Sequence, residues 1–123
     1  MRLLLDTHVL IWWDAGAGIE DAVERAIRSA DQVYVSAVTG WEIAIKASLG
    51  RLRTTRRVEE AAAESGFEEL PVRLRHTQRY AALPWHHRDP FDRMLVAQAI
   101  DEGLTLVSKN EAIRGYQVPL LAW

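Results

Sequence analysis

Two short apolar runs, each stopping at a polar residue, limit most sharply what this chain can become. Met1 to Leu5 is largely apolar and ends abruptly at Asp6, and Leu104-Thr105-Leu106-Val107 ends at Ser108-Lys109-Asn110. Runs of this length without clear alternation suit strands buried on both faces, the kind found in parallel sheets covered by helices. Val33-Tyr34-Val35 reads as another strand. Phe67 to Val72, interrupted by Pro71, reads as a short strand or extended connection, and Val118 to Leu121 as a last strand whose Pro119 favours a sheet edge. In an open parallel sheet the ligand crevice lies beyond the C-terminal strand ends, where Asp6 would stand.

Helical signals fill the intervals. After a loop from Asp14 to Gly18, Ile19, Val23, Ala26 and Ile27 form one apolar stripe. Ser36 is an N-cap for a helix that Gly50 closes; Val58 to Ser65 is stopped by Gly66, and Leu74 to Leu83 by Pro84. Asp89-Pro90 reads as N-cap and first residue of a longer helix, because proline's fixed φ suits that position and its missing N–H is not needed there. Glu111 to Tyr116 gives a helical turn. Strands alternating with helices predict an α/β protein, a three-layer α/β/α sandwich with a mostly parallel central sheet. The 123 residues, 49% hydrophobic and without repeat or linker, predict a single domain spanning 1–123. The apolar start is too short for a signal peptide or membrane span, so a cytoplasmic location is expected.

The helices are amphipathic in an unusual way. Running forward from Pro90 at about 100° per residue, Phe91, Leu95, Val96, Ala99 and Ile100 share an apolar arc, and Asp92 falls within it. Val38, Glu42, Ile45 and Leu49 likewise share one stripe, so Glu42 also faces inward. Asp92 could simply complete the cap begun by Asp89, and Glu42 could pair with Lys46 one turn later, a contact that stabilises an exposed helix by about 0.3–0.5 kcal/mol. Neither accounts for the inward phase, since an ionised carboxylate turned to the core is costly unless a charge or metal meets it. With Asp6 at a strand tip, three acids from separate elements converge on one end of the sheet, and Asp89 and Asn110 are further candidates.

Oxygen ligands in a chain without cysteine point to Mg²⁺ or Mn²⁺. None of His8, His76, His86 and His87 shows the spacing of a zinc-binding helical pair, so the histidines are set aside. Clustered carboxylates around Mg²⁺ suit phosphodiester hydrolysis by activated water. Without metal, their like charges should raise at least one pKa and titrate as a coupled set. The net charge of −2 gives no global case for nucleic acid, so local patches must supply it. Lys46, Arg51, Arg53, Arg56 and Arg57 form one patch, and Arg73, Arg75, Arg79, Arg88 and Arg93 another; a solvated helix surface is the bland reading of each. Of these, Lys46, Arg51, Arg53, Arg88 and Arg93 are the candidates for holding a nucleic-acid backbone.

Leu5-Asp6-Thr7-His8, Trp41-Glu42-Ile43-Ala44, the segment from His87 to Ala99 and the Leu106-Val107-Ser108 strand end resemble the PIN domain of VapC-type toxins across essentially the whole chain. The resemblance implies a Mg²⁺-dependent endoribonuclease of a type II toxin–antitoxin pair, a homodimer held inactive by a small antitoxin protein. Carried over by position, it makes Asp6, Glu42 and Asp92 the catalytic metal ligands, with Asp89 a companion. It places Asn110 where a fourth acid is common, and Thr7 and Ser108 where hydroxyls sit beside the metal. Two other classes compete. One is an aspartyl phosphotransferase with Asp6 as nucleophile, although the acid usual two residues later is here His8; the other is a non-catalytic binding module acting through partner and operator complexes.

Overall fold

The computed structural model describes residues 1–52 and 56–123, so Arg53 lies outside the described residues. Its strands are β1 (Arg2–Leu5), β2 (Gln32–Ser36), β3 (Glu68–Leu70), β4 (Thr105–Val107) and β5 (Leu120–Leu121). They form one sheet in the order β3-β2-β1-β4-β5, with every neighbouring pair parallel. The helices are α1 (Thr7–Ala15), α2 (Asp21–Ser29), α3 (Ala37–Ser48), α4 (Val58–Glu64), α5 (Leu74–Ala82) and α6 (Pro90–Glu102), followed by a 3₁₀ helix at Glu111–Gly115.

Successive residues of β1 divide the interior in two. Leu4 and Leu106 pack with Leu95, Val96 and Ala99 of α6 on one face. Leu3, Leu5, Val33, Val35 and Val107 pack with Val9 of α1, Val23 and Ile27 of α2 and Ala62 of α4 on the other. This is the three-layer α/β/α sandwich the strand pattern predicts. Leu3, Leu4 and Leu5 are wholly buried, each stabilising the fold by about 1.5–3 kcal/mol, which explains why the central strand reads as an unbroken apolar run.

Local chemistry sets the boundaries. Ser36 accepts the N–H of Val38 to cap α3, which ends at Ser48, just short of Gly50. Asp89 accepts the N–H groups of Phe91 and Asp92 to start α6, and Gly103, at φ 66°, ends it in the left-handed region that glycine enters without strain. The chain enters α1 directly after Asp6, and the helix absorbs Asp14 and Ala15 from the expected loop before Gly16 caps it at φ 73°. Pro119 immediately precedes the edge strand β5 and offers its carbonyl to Leu106 N–H at 2.8 Å.

The strand order reverses at β1, with β2 and β3 on one side and β4 and β5 on the other. The crevice between the C-terminal ends of β1 and β4 is therefore where such a sheet offers a ligand site. No helix among the described residues is long and apolar enough to cross a membrane.

Candidate active site

Asp6 follows β1 and Ser108 follows β4, so two adjacent strand tips meet at the reversal point. Asp6 is the N-cap residue of α1, but its carboxylate makes no capping bond. Instead Ser108 Oγ donates to Asp6 Oδ2 at 2.7 Å, while Asp6 Oδ1 is buried with no hydrogen-bond partner. Glu42, 3% exposed on α3, accepts Thr7 Oγ1–H at 2.8 Å on one oxygen and Lys46 Nζ at 2.7 Å on the other. Asp92, in the first turn of α6, accepts Asn110 Nδ2 at 3.0 Å and meets His87 Nε2 at 2.8 Å, both on Oδ2. The resulting picture is a set of acids from β1, α3 and α6, each steadied by its own donors.

Their charges act on one another. Burial raises the pKa of Asp6; the Ser108 hydrogen bond, the nearby Thr7 backbone N–H and His8 oppose it, and repulsion from Glu42 adds a smaller upward push. Asp92 is pushed from its ordinary 3.8 to about 6, first by burial and then by the charge of Asp6, with Asp89 adding and the His87 hydrogen bond opposing. Lys46 is raised mainly by its bond to Glu42 and also feels Asp89 and Asp92.

His87, Asp89 and Asp92 offer ligand atoms that all lie within 4.8 Å of one another. Asp6 and Glu42 stand outside that group, since each carboxylate is drawn to its own donors and like charges repel. A partnerless buried carboxylate oxygen is costly, and a divalent cation is the natural counter-charge for it. The oxygen-rich donor set fits Mg²⁺ or Mn²⁺.

Several residues take different parts from those the sequence suggests. The histidines, set aside for lack of helical spacing, return through His87: it reaches Asp92 from the strap ahead of Asp89, where a search for helical pairs does not look. Asn110 cannot readily offer a metal its oxygen, because Oδ1 accepts Ala112 N–H at 3.0 Å to cap the 3₁₀ helix and its nitrogen faces Asp92. Asp89 does cap α6 through Oδ1, yet remains within the 4.8 Å group. Arg93 is corrected outright as an RNA contact, being 1% exposed. Its guanidinium lies 4.7 Å from the Tyr80 ring centre and 3.8 Å from that of Trp85, and it donates to the carbonyls of Pro84 and Tyr80. Arg51 and Arg88 are exposed, whereas Lys46 is half-buried against Glu42. Thr7 and Ser108 direct their hydroxyls at Glu42 and Asp6. His8, where a phosphotransferase would place a second acid, is exposed and packs on Trp12 with ring centres 5.9 Å apart.

Residues 3–118 match the PIN domain family. A curated relative, Ribonuclease VapC22 of Mycobacterium tuberculosis, is 31% identical over 126 residues, covering 95% of this chain and 93% of that protein. Among solved structures, VapBC2 of Rickettsia felis bound to a promoter DNA fragment superposes with TM-score 0.75 at 16% identity, over 100% of this chain and 99% of that one. DNA-bound VapBC of Salmonella typhimurium gives 0.70 at 18% identity, over 100% and 98%.

Proposed function

The chain belongs to the PIN domain family, and from that premise we propose that it is a metal-dependent endoribonuclease, the toxin of a type II toxin–antitoxin pair. The observation that carries the reading is the buried, partnerless Asp6 Oδ1 at the point where strand order reverses, beside an Asp92 whose pKa is pushed to about 6. The name of the M. tuberculosis relative supports ribonuclease activity, and the toxin–antitoxin complexes among the similar structures support a small antitoxin partner. A homodimer in the cytoplasm completes the reading.

In this site Asp6, Glu42 and Asp92 would hold Mg²⁺, or Mn²⁺ in its place. When bound, the ion supplies a nucleophilic water at neutral pH and neutralises charge developing on the phosphate. The protein's own groups do the rest. Ser108 and Thr7 fix the Asp6 and Glu42 carboxylates, so little reorganisation is needed when substrate arrives. Lys46, at the pocket, and the exposed Arg51 and Arg88 attract the RNA backbone by charge, which positions it without reading its sequence.

The test is cleavage of total RNA by protein freed of any antitoxin, with Mg²⁺ or with excess EDTA. Mg²⁺-dependent internal cuts are expected. Intact RNA in both arms, from correctly folded protein, would favour the binding-module alternative.

A further inference from the structure

The strap joining α5 to α6 is held from beneath by Arg93. Its Nη1 donates to Pro84 O at 2.9 Å and to Tyr116 Oη at 3.1 Å, and Nη2 donates to Tyr80 O at 3.1 Å. Tyr116, itself 5% exposed, accepts the backbone N–H of His87 at 3.1 Å and donates to the His87 carbonyl at 3.4 Å. One phenol therefore grips both backbone polar groups of His87. The His86 ring lies edge-on to Tyr116 at 5.0 Å, closing the strap against the same support.

Side-chain links carry this order into the acid pocket. With Asp92 ionised, His87 Nε2–H donates to Asp92 Oδ2 at 2.8 Å, and Asn110 Nδ2 donates to the same oxygen at 3.0 Å. Asn110 cannot easily turn over, because its Oδ1 is engaged with Ala112 N–H. Its own backbone N–H donates to Ser108 Oγ at 3.0 Å, and that hydroxyl donates to Asp6 Oδ2. One oxygen of each carboxylate is thus tied back into the protein along a continuous chain of hydrogen bonds.

We propose that His87 and Asn110 are positioning residues that clamp Oδ2 of Asp92 and leave its other oxygen for the cation, and that the Arg93–Tyr116 pair acts through His87 to aim this clamp. The proposal rests on the reading of Asp6 and Asp92 as cation ligands. Partners that orient metal ligands typically contribute about 10–100-fold in metal affinity, which sets the scale of the test.

The experiment is Mn²⁺ titration, by calorimetry or by loss of free-ion paramagnetic resonance, without RNA present. His87→Ala is expected to weaken Mn²⁺ binding about tenfold. Tyr116→Phe, which deletes one hydroxyl distant from the carboxylates and keeps the ring, is expected to weaken it by a smaller factor. The double variant should bind like His87→Ala alone, because the hydroxyl acts only through His87. Unchanged affinity in either single variant, or losses that multiply in the double, would overturn the proposal. If Tyr116→Phe fails to fold, as shown by near-ultraviolet circular dichroism, His87→Ala decides alone. Normal Mn²⁺ binding and coupling in a protein that cuts no RNA would refute the ribonuclease reading and leave the clamp standing. Multiplying losses in a protein that does cut RNA would do the reverse, and no Mn²⁺ binding by the wild type would overturn both.

Discussion

At the N-terminal end of α6, His87, Asp89 and Asp92 bring ligand atoms within 4.8 Å of one another; at its C-terminal end, His76, Asp101 and Glu102 do the same. The helix dipole favours acids at the first end and opposes them at the second, yet the acid that titrates high is Asp92 and the one that titrates low is Glu102. Burial and the charge of Asp6 raise the first, and arginine lowers the second. Arg75 donates to Asp101 at 2.6 Å and to both oxygens of Glu102 at 2.5 and 2.7 Å, and Arg79 stands 3.9 Å from Asp101, so two arginines balance that pair. His76 is fully buried and its Nδ1 accepts Arg73 N–H to cap α5. The ring proton is then on Nε2, 3.6–3.7 Å from the two carboxylates, which leaves no lone pair for a metal unless the cap breaks. At the other end, the arginine next to Asp92 in sequence turns its guanidinium inward to carbonyls and aromatic rings. The same residue types make a neutralised structural knot in one place and a charge-hungry pocket in the other.

The largest expected difference between the two ends is catalytic. Asp92→Asn or Asp6→Asn should lower initial rates of RNA cleavage by more than about 100-fold, beyond what loss of a supporting residue costs. Asp101→Asn should leave them within about twofold, as a change remote from the chemistry. Equal losses at Asp92 and Asp101 would erase the distinction.

Stability should respond in the opposite sense. His76→Ala removes a buried ring and the cap of α5, so urea denaturation should show a loss on the order of 2 kcal/mol. His87→Ala, on a half-buried strap, should cost less than about 1 kcal/mol. A larger loss at His87 would mean that its role is to hold the fold.

The subtlest contrast lies in pH. For metal-free protein, the raised pKa of Asp92 means the folded state holds its proton more tightly than the unfolded state, so this group's contribution to stability falls as pH rises from about 4 to about 6. Glu102 is lowered by Arg75, so its contribution is present above its ordinary 4.5 and is lost as pH falls through and below that value. In melting curves without metal, Asp92→Asn should gain on the wild type as pH rises through that window, and Glu102→Gln should lag least in acid. Parallel pH profiles for the two variants would contradict the assignment of opposite shifts.

How much of this was legible in the sequence depends on how far each side chain must reach. Asp6, Glu42 and Asp92 are readable as inward acids because strand ends and the helical period fix their direction from the backbone alone. Asp89 and Ser36 are readable as caps for the same local reason. Arg93 is not, because a long side chain can run to solvent or to the interior, and only the tertiary placement of Tyr80, Trp85 and Tyr116 turns it inward. His87 is hidden for a related reason: its contact with Asp92 depends on how the strap is folded against Tyr116. Asn110 shows its residue type to the reader of the sequence, but which amide atom faces the pocket is decided by the N–H of Ala112.

A crystal soaked in Mn²⁺ and measured for anomalous scattering tests the central claim most directly. The predicted result is a peak in contact with Asp6 Oδ1 and Asp92, with Glu42 beside it, and none among His76, Asp101 and Glu102. A peak at the C-terminal end of α6, or a bound ion that leaves Asp6 untouched, would contradict the account.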